Sequence, residues 1–204
     1  MAKAAKVYAL DFGLLPRLGS YRVFLSLGDE IERALAKLPD TLARANGACH
    51  HCHGVGGDGA IEAKESALRS ALAEFVSMED SLGRDLTKAG MVAAPIKVIV
   101  SQNPLLHITR ELRNLEIHLQ TSRLKPLEKE VTYAGDNRRI DIWVVGDIAE
   151  SDFMKLRNAN RYKRDDVVKM IDWFNWAQKQ WGIDQLIYRA VVEYCRMIIK
   201  TYNL

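Results

Sequence analysis

Arg113, Asn114 and His118 fall inside the run Arg110-Glu-Leu-Arg-Asn-Leu-Glu-Ile-His118, which reads as part of one helix. Together they carry what metal-free cleavage of an RNA chain requires. A base must take the proton from the ribose 2′-hydroxyl, and a fixed positive charge must steady the phosphorane as the 2′-oxygen attacks. Histidine titrates near neutrality, and the arginine guanidinium stays charged with a fork that matches phosphate oxygens. His118 fits the base and Arg113 the phosphate stabiliser. Asn114, one turn before His118, shares its face and could orient the imidazole. Arg110, one turn before Asn114, has two readings: a second phosphate contact, or an ion pair with an acid of the preceding helix, which carries the run Glu74 to Asp80. Residues five apart stand about 140° from one another around a helix, so two copies facing across a dimer would complete a cleft that one copy leaves open. The plain alternative is a solvated helix face whose polar residues pair with their neighbours.

A second chemical signal lies at Cys49-His-His-Cys52-His53-Gly, followed by glycines to Gly59. Cys-x-x-Cys-His is the spacing of a c-type haem attachment site, with thioethers to Cys49 and Cys52 and axial ligation by His53. The same donors could form part of a zinc tetrahedron. A glycine-rich surface turn between two helices is the third reading. Cys195 is far from the pair, and three cysteines are not a disulfide framework.

The arginine, the polar residue after it and the histidine a few positions on resemble the signature of the HEPN superfamily of small helical ribonucleases and nucleotide-binding proteins. The resemblance covers Ile61 to Leu124 as helix, connector and motif helix, with the last two helices as the remainder of a bundle. It implies a metal-independent active site built from Arg113, Asn114 and His118, completed at a homodimer interface where two motif helices oppose. The implied activity is endoribonucleolytic, as in a toxin or antiviral effector, with an antitoxin protein as a further partner. Some members bind nucleotides or proteins without cleaving, which is the alternative. A haem- or zinc-binding protein using Cys49, Cys52 and His53 is the third; otherwise no cofactor is expected.

The remaining composition sets broad limits. A chain of 204 residues, 48% hydrophobic and 27% charged, is ordinary globular material. Its net charge of +3 permits a polyanionic partner without demanding one. The N-terminus lacks the apolar run of about 7–15 residues that a secretory signal needs. The longest apolar run, Met91 to Val100, contains Pro95 and Lys97 and is too short for the roughly 20 residues of a membrane span. A soluble cytoplasmic protein is therefore expected.

The elements that must position these residues follow from periodicity. From Ser20 to Asn46, Val23, Phe24, Leu27, Ile31, Leu35, Leu38 and Leu42 recur at helical spacing, with Pro39 expected to kink or split the element. Asn46-Gly47 reads as its end, and residues 47–59 as a loop. A second helix with Leu68, Leu72, Phe75, Val76 and Leu82 inside would pair antiparallel with the first. After Gly83 and Gly90, Met91 to Val100 reads as a buried connector. Asn103-Pro104 then caps the motif helix, with Leu105, Ile108, Leu112, Leu115 and Leu119 in one sector and His107, Arg110, Glu111, Asn114 and His118 opposite.

Between 128 and 146 the period drops to two around Gly135-Asp136-Asn137, predicting a β-hairpin. Helices are expected over Asp152–Asn158, Asp165–Trp181 and Asp184–Tyr202, with Gly182 between the last two. The expected fold is mainly α, a HEPN-like helical bundle with an inserted hairpin near 129–145, forming one domain over 1–204. Lys155 to Arg164 concentrates Lys155, Arg157, Arg161, Lys163 and Arg164 around Tyr162. It reads either as a track for a phosphate backbone, with Tyr162 stacking on a base, or as a solvated helix end. Trp143, Trp173, Phe174, Trp176 and Trp181 read as packing, and Cys195 as a small buried hydrophobe.

Overall fold

Pro39 divides the first helical stretch. Helix α1 (Asp29–Leu35) ends before it, and α2 (Pro39–Gly56) starts on it, where a missing N–H leaves no helical hydrogen bond unmade. The computed structural model describes residues 7–17, 25–91, 93–119, 124–133 and 136–204, without the side chains of 116–119 and 133. The expected helical start at Ser20, with Val23 and Phe24, lies outside the described residues.

The glycine-, cysteine- and histidine-rich segment is helix, which corrects the loop expected over 47–59. Helix α2 runs through Asn46-Gly47 to Gly56, because Ala45, Ala48, Cys49, Cys52 and Val55 form a buried stripe at helical spacing. Burying that stripe outweighs the roughly 1 kcal/mol that each interior glycine costs a helix. Helix α3 (Ile61–Lys88) follows and returns antiparallel along α2: Thr41 meets Asp85, Arg44 meets Glu74, and Lys64 reaches the carbonyls of Val55 and Gly57. The two helices close on each other at Gly54, where a Cβ would stand 3.0 Å from that of Ala67. Gly83 does not interrupt α3, which buries Leu68, Leu72, Phe75, Met78, Leu82 and Leu86.

The motif helix α4 (Pro104–Leu119) begins as expected, the Asn103 side chain accepting the Leu105 N–H at 3.0 Å. A two-stranded antiparallel hairpin follows, β1 (Lys125–Tyr133) and β2 (Asp136–Val144), so Asp136 and Asn137 open β2 instead of lying in the turn. Its base is fastened to helix α6 (Arg164–Trp181). Gln178 Oε1 accepts the Val145 N–H at 2.9 Å, and Asn175 exchanges two bonds of 3.0 Å with the backbone of Ile148.

The helix expected over Asp152–Asn158 is instead a single turn, α5 (Glu150–Phe153), and a chain of tight turns ending in the 3-10 turn Ala159–Arg161. The buried residues there, Phe153, Leu156, Ala159 and Tyr162, recur every three positions. The backbone bonds Leu156 to Phe153, Ala159 to Leu156 and Tyr162 to Ala159 share that period.

Helix α7 (Ile183–Tyr202) is the central element, packing on α1, α2, α3, α4 and α6. Cys195 is buried in it, as expected. Of the aromatic group, Phe174 is buried, but Trp176 is 51% exposed against the edge of Trp181. The molecule is thus a mainly helical bundle carrying an inserted hairpin. No helix among the described residues is long and apolar enough to cross a membrane.

Gly182, at φ 87°, makes the break before α7, and any Cβ there would meet Asp184 Oδ1 at 2.5 Å. Asp184 is 2% exposed and its Oδ1 has no partner. Burial pushes its carboxyl up to about 6, against the opposing hydrogen bond from Gln185. The folded chain therefore keeps a proton that the unfolded chain loses near 4. Stability on this account falls as pH rises from about 4 to about 6 and then levels, for a total of about 3 kcal/mol at most. Asp184→Asn should remove that slope and raise stability at pH 7.5. Urea unfolding at pH 4.0 and 7.5 would show it, and an unchanged slope in the variant would refute it.

Candidate functional site

Seen from α4, the side expected to be polar is polar but not wet. Leu105, Ile108, Leu112 and Leu115 are buried on one side, as the pattern requires, yet His107 and Glu111 on the other are also buried. Two segments remote in sequence and the adjoining connector cover them: the N-terminal strip at Tyr8, the 3-10 turn followed by Tyr162, and Ser101, six residues before His107.

The cover supplies the partners that buried polar atoms need. His107 Nε2 donates to the Ser101 carbonyl at 2.9 Å, and His107 Nδ1 is 3.1 Å from the Tyr162 hydroxyl. That hydroxyl is 3.2 Å from Glu111 Oε1, while Glu111 Oε2 accepts from Asn114 Nδ2 at 2.8 Å. The Tyr8 ring packs on both His107 and Tyr162, with centroids 5.1 and 4.8 Å away, and Phe153 meets Tyr162 from the other side. Burial lowers the pKa of His107 and raises that of Tyr162, so imidazole and phenol are both held toward their neutral forms. A cleft of about 330 Å³ opens beside this cluster, lined by Tyr8, Val100, Ser101, Gln102 and Arg161 among others.

The expected site residues fall into three groups. Arg113 and Asn114 are half-buried on α4, and Asn114 is committed to Glu111. His118 is on the same helix, and its side chain lies outside the described residues. Arg110 takes the second of its two readings, its Nε standing 3.9 Å from Glu79 Oε1.

Of the basic stretch, Arg157 and Lys163 are exposed, and Arg164 is paired to Glu150 at 2.6 Å. Arg161 bonds Tyr8 through Nη1 at 3.3 Å. Tyr162, expected as a stacking ring for bases, is buried inside the cluster instead, because it is the last member of the period-three stripe. It ties the basic stretch to the motif helix through Glu111. Sequence reasoning missed His107, Glu111 and Tyr162 as a set. The one available signal was that His107, Glu111 and Asn114 share a stripe at i, i+4 and i+7.

The cysteine and histidine donors do not suit haem or zinc. Cys49 and Cys52 point into the core and are buried, while His53 is exposed and its Nε2 accepts the Leu25 N–H at 2.9 Å. Burial pushes the Cys49 thiol up to about 12, with the charge of Glu32 adding to it, and burial likewise raises the Cys52 thiol well above its ordinary value. Thiols so held are poor ligands and poor nucleophiles. Among the described residues no group of three histidine, cysteine or acidic side chains is placed to hold a metal ion.

Comparison with family models, curated proteins and solved structures returns no match for this chain. The family resemblance rests on the residues of α4.

Proposed function

We propose that the protein is a metal-independent endoribonuclease of HEPN type, acting in the cytoplasm as a homodimer. The observation that carries this reading is that Arg113, Asn114 and His118 occupy one continuous, well-capped helix packed against α3 and α7. His118 takes the 2′-hydroxyl proton and Arg113 steadies the phosphorane. Asn114, fixed by Glu111, lends the site a rigid polar edge.

The basic residues Arg157, Arg161 and Lys163 are seated near α4 by the Tyr162–Glu111 bond and offer charge for the phosphate backbone. The cleft at Tyr8 and Arg161 adds room for a nucleotide. A role as a toxin or antiviral effector held in check by an antitoxin protein fits such an activity.

Because Arg113 and His118 are about 140° apart on one helix, the site is completed across the dimer. Mixing inactive Arg113→Ala and His118→Ala homodimers should therefore restore about a quarter to a half of wild-type cleavage once subunits exchange. The test of the function itself is cleavage of RNA by the purified protein in EDTA, leaving 2′,3′-cyclic phosphate ends. A folded protein that cleaves no RNA class, yet binds a nucleotide or a protein, would be the non-catalytic helical module.

A further inference from the structure

The cleft of about 330 Å³ beside the motif helix joins two kinds of surface. Its walls are largely apolar: Val100 and Val7 line it at 64% and 47% exposure, with Ile99 and Tyr8 set more deeply. Two polar side chains, Gln102 and Arg161, line the same space. Among the described residues the Gln102 amide has no hydrogen-bond partner and the Arg161 guanidinium meets no carboxylate. Arg161 is nonetheless fixed in place. Its backbone carbonyl accepts the Tyr8 N–H at 2.8 Å, and its Nη1 donates to the Tyr8 hydroxyl at 3.3 Å, which leaves the rest of the fork without a protein acceptor. The acid nearest along the N-terminal strip, Asp11, turns its carboxylate to the Gly13 N–H instead.

A half-buried guanidinium with no carboxylate, held in a concave and mainly apolar site, is a receptor for an anion. Its neighbours say which kind. Arg157 and Lys163 are exposed and also lack an acidic partner among the described residues, whereas Lys155 and Arg164 are matched by Asp152 and Glu150. Three unmatched cations on one short stretch suit a polyanion better than a lone carboxylate. The apolar walls suit the face of a base, and a glutamine amide, with two donors and an acceptor, suits its edge.

We propose that this cleft is a subsite for one nucleotide of a single-stranded RNA, with its phosphate on Arg161, its base against Val100 and Val7, and the base edge at Gln102.

The choice of RNA rests on the ribonuclease reading, and the place of the cleft in the fold agrees with it. The Tyr8 ring packs on His107, and Tyr162, next to Arg161, bonds Glu111, so the cleft sits against the first half of α4. From His107 to Asn114 the helix rises roughly 10 Å. The bound nucleotide is therefore a short way along the strand from the bond that Arg113 and His118 would cut.

A fluorescent 2′-O-methyl oligonucleotide tests the subsite apart from the chemistry, because it lacks the hydroxyl that attacks. Its anisotropy reads binding by wild type, Arg161→Gln, Val100→Glu and Val100→Lys, with Lys179→Gln as a charge lost from the Asp147 pair elsewhere. Arg161→Gln should weaken binding about tenfold and make the log–log salt dependence shallower by roughly 0.7, the loss of one phosphate contact. Val100→Glu should weaken binding by a similar factor, while Val100→Lys keeps or tightens it and Lys179→Gln leaves the salt slope unchanged. Because Val100 is largely exposed, its two variants carry the test even where Arg161→Gln fails to fold.

Wild-type affinity and salt slope in a folded Arg161→Gln, or wild-type affinity in Val100→Glu, overturns the proposal. So does competition by AMP, UMP or inorganic phosphate that is as tight as that of the unlabelled oligonucleotide, since the occupant would then be a free nucleotide or a lone anion. Cleavage of unmodified RNA is measured on the same samples. Binding that depends on Arg161 and Val100, without cleavage, would remove the ribonuclease reading and leave the subsite. Cleavage by wild type, with binding indifferent to both residues, would do the reverse.

Discussion

Replacing Asp85 by alanine is expected to destabilise the fold by about 3 kcal/mol, a large share of the ~5–15 kcal/mol that holds a domain together. Helix α2 has no capping side chain of its own, since Leu38 stands at its N-cap and Pro39 follows. Asp85 supplies the cap from near the end of α3. Its Oδ2 accepts the Thr41 N–H at 2.7 Å and the Thr41 hydroxyl at 2.8 Å, and its Oδ1 accepts the Asp40 N–H at 3.3 Å. The carboxylate is 1% exposed, so water cannot replace it, and it faces the positive end of the α2 dipole. Alanine would orphan two backbone donors and a hydroxyl together. Asp85→Asn keeps an acceptor and should lose less than half as much. Urea unfolding of the three proteins tests this, and an alanine variant within 1 kcal/mol of wild type would show that α2 needs no cap from α3.

The second large effect is on activity. On the ribonuclease reading, Arg113→Ala and His118→Ala should each lower the cleavage rate by about 10²–10⁴-fold. The Arg113 variant should unfold at nearly the wild-type denaturant concentration, because the half-buried side chain is not in the core of α4. Loss of rate without loss of stability distinguishes chemistry from packing. His118→Ala should also remove the histidine limb from the pH–rate profile, whereas Arg113→Ala should leave its shape intact. Equal destabilisation of both variants would mean that the motif residues serve the fold.

How much of this was legible in the sequence depends on the distance over which each feature is decided. The cap at Asn103-Pro104 and the break at Gly182 are local, and both stand where the sequence puts them. The hairpin is announced by its period of two, although its strands reach further, to Lys125 and into Asp136. Pro39 divides the first helical stretch because a proline ring acts on its own helix turn.

Long-range packing decided the rest. Gly47, Gly54 and Gly56 look like a loop in isolation, but Gly54 is the point where α2 and α3 touch, and a glycine there lets the helices approach. Cys49 and Cys52 face α7 instead, near Cys195, Asp184 and Tyr188, and their burial removes them from the ligand set their spacing suggested. The polar stripe of α4 was read as open because its cover comes from residues 8, 101 and 162. Tyr162 moved from a base-stacking surface ring to the middle of a buried chain for the same reason.

The most direct measurement is cleavage of a panel of RNAs by the purified protein in EDTA, wild type beside Arg113→Ala and His118→Ala, with product ends identified. Wild-type cleavage that leaves 2′,3′-cyclic phosphates and is lost in both folded variants is the expected result. Cleavage that EDTA abolishes, or that both variants retain, would contradict the assignment of the chemistry to Arg113 and His118.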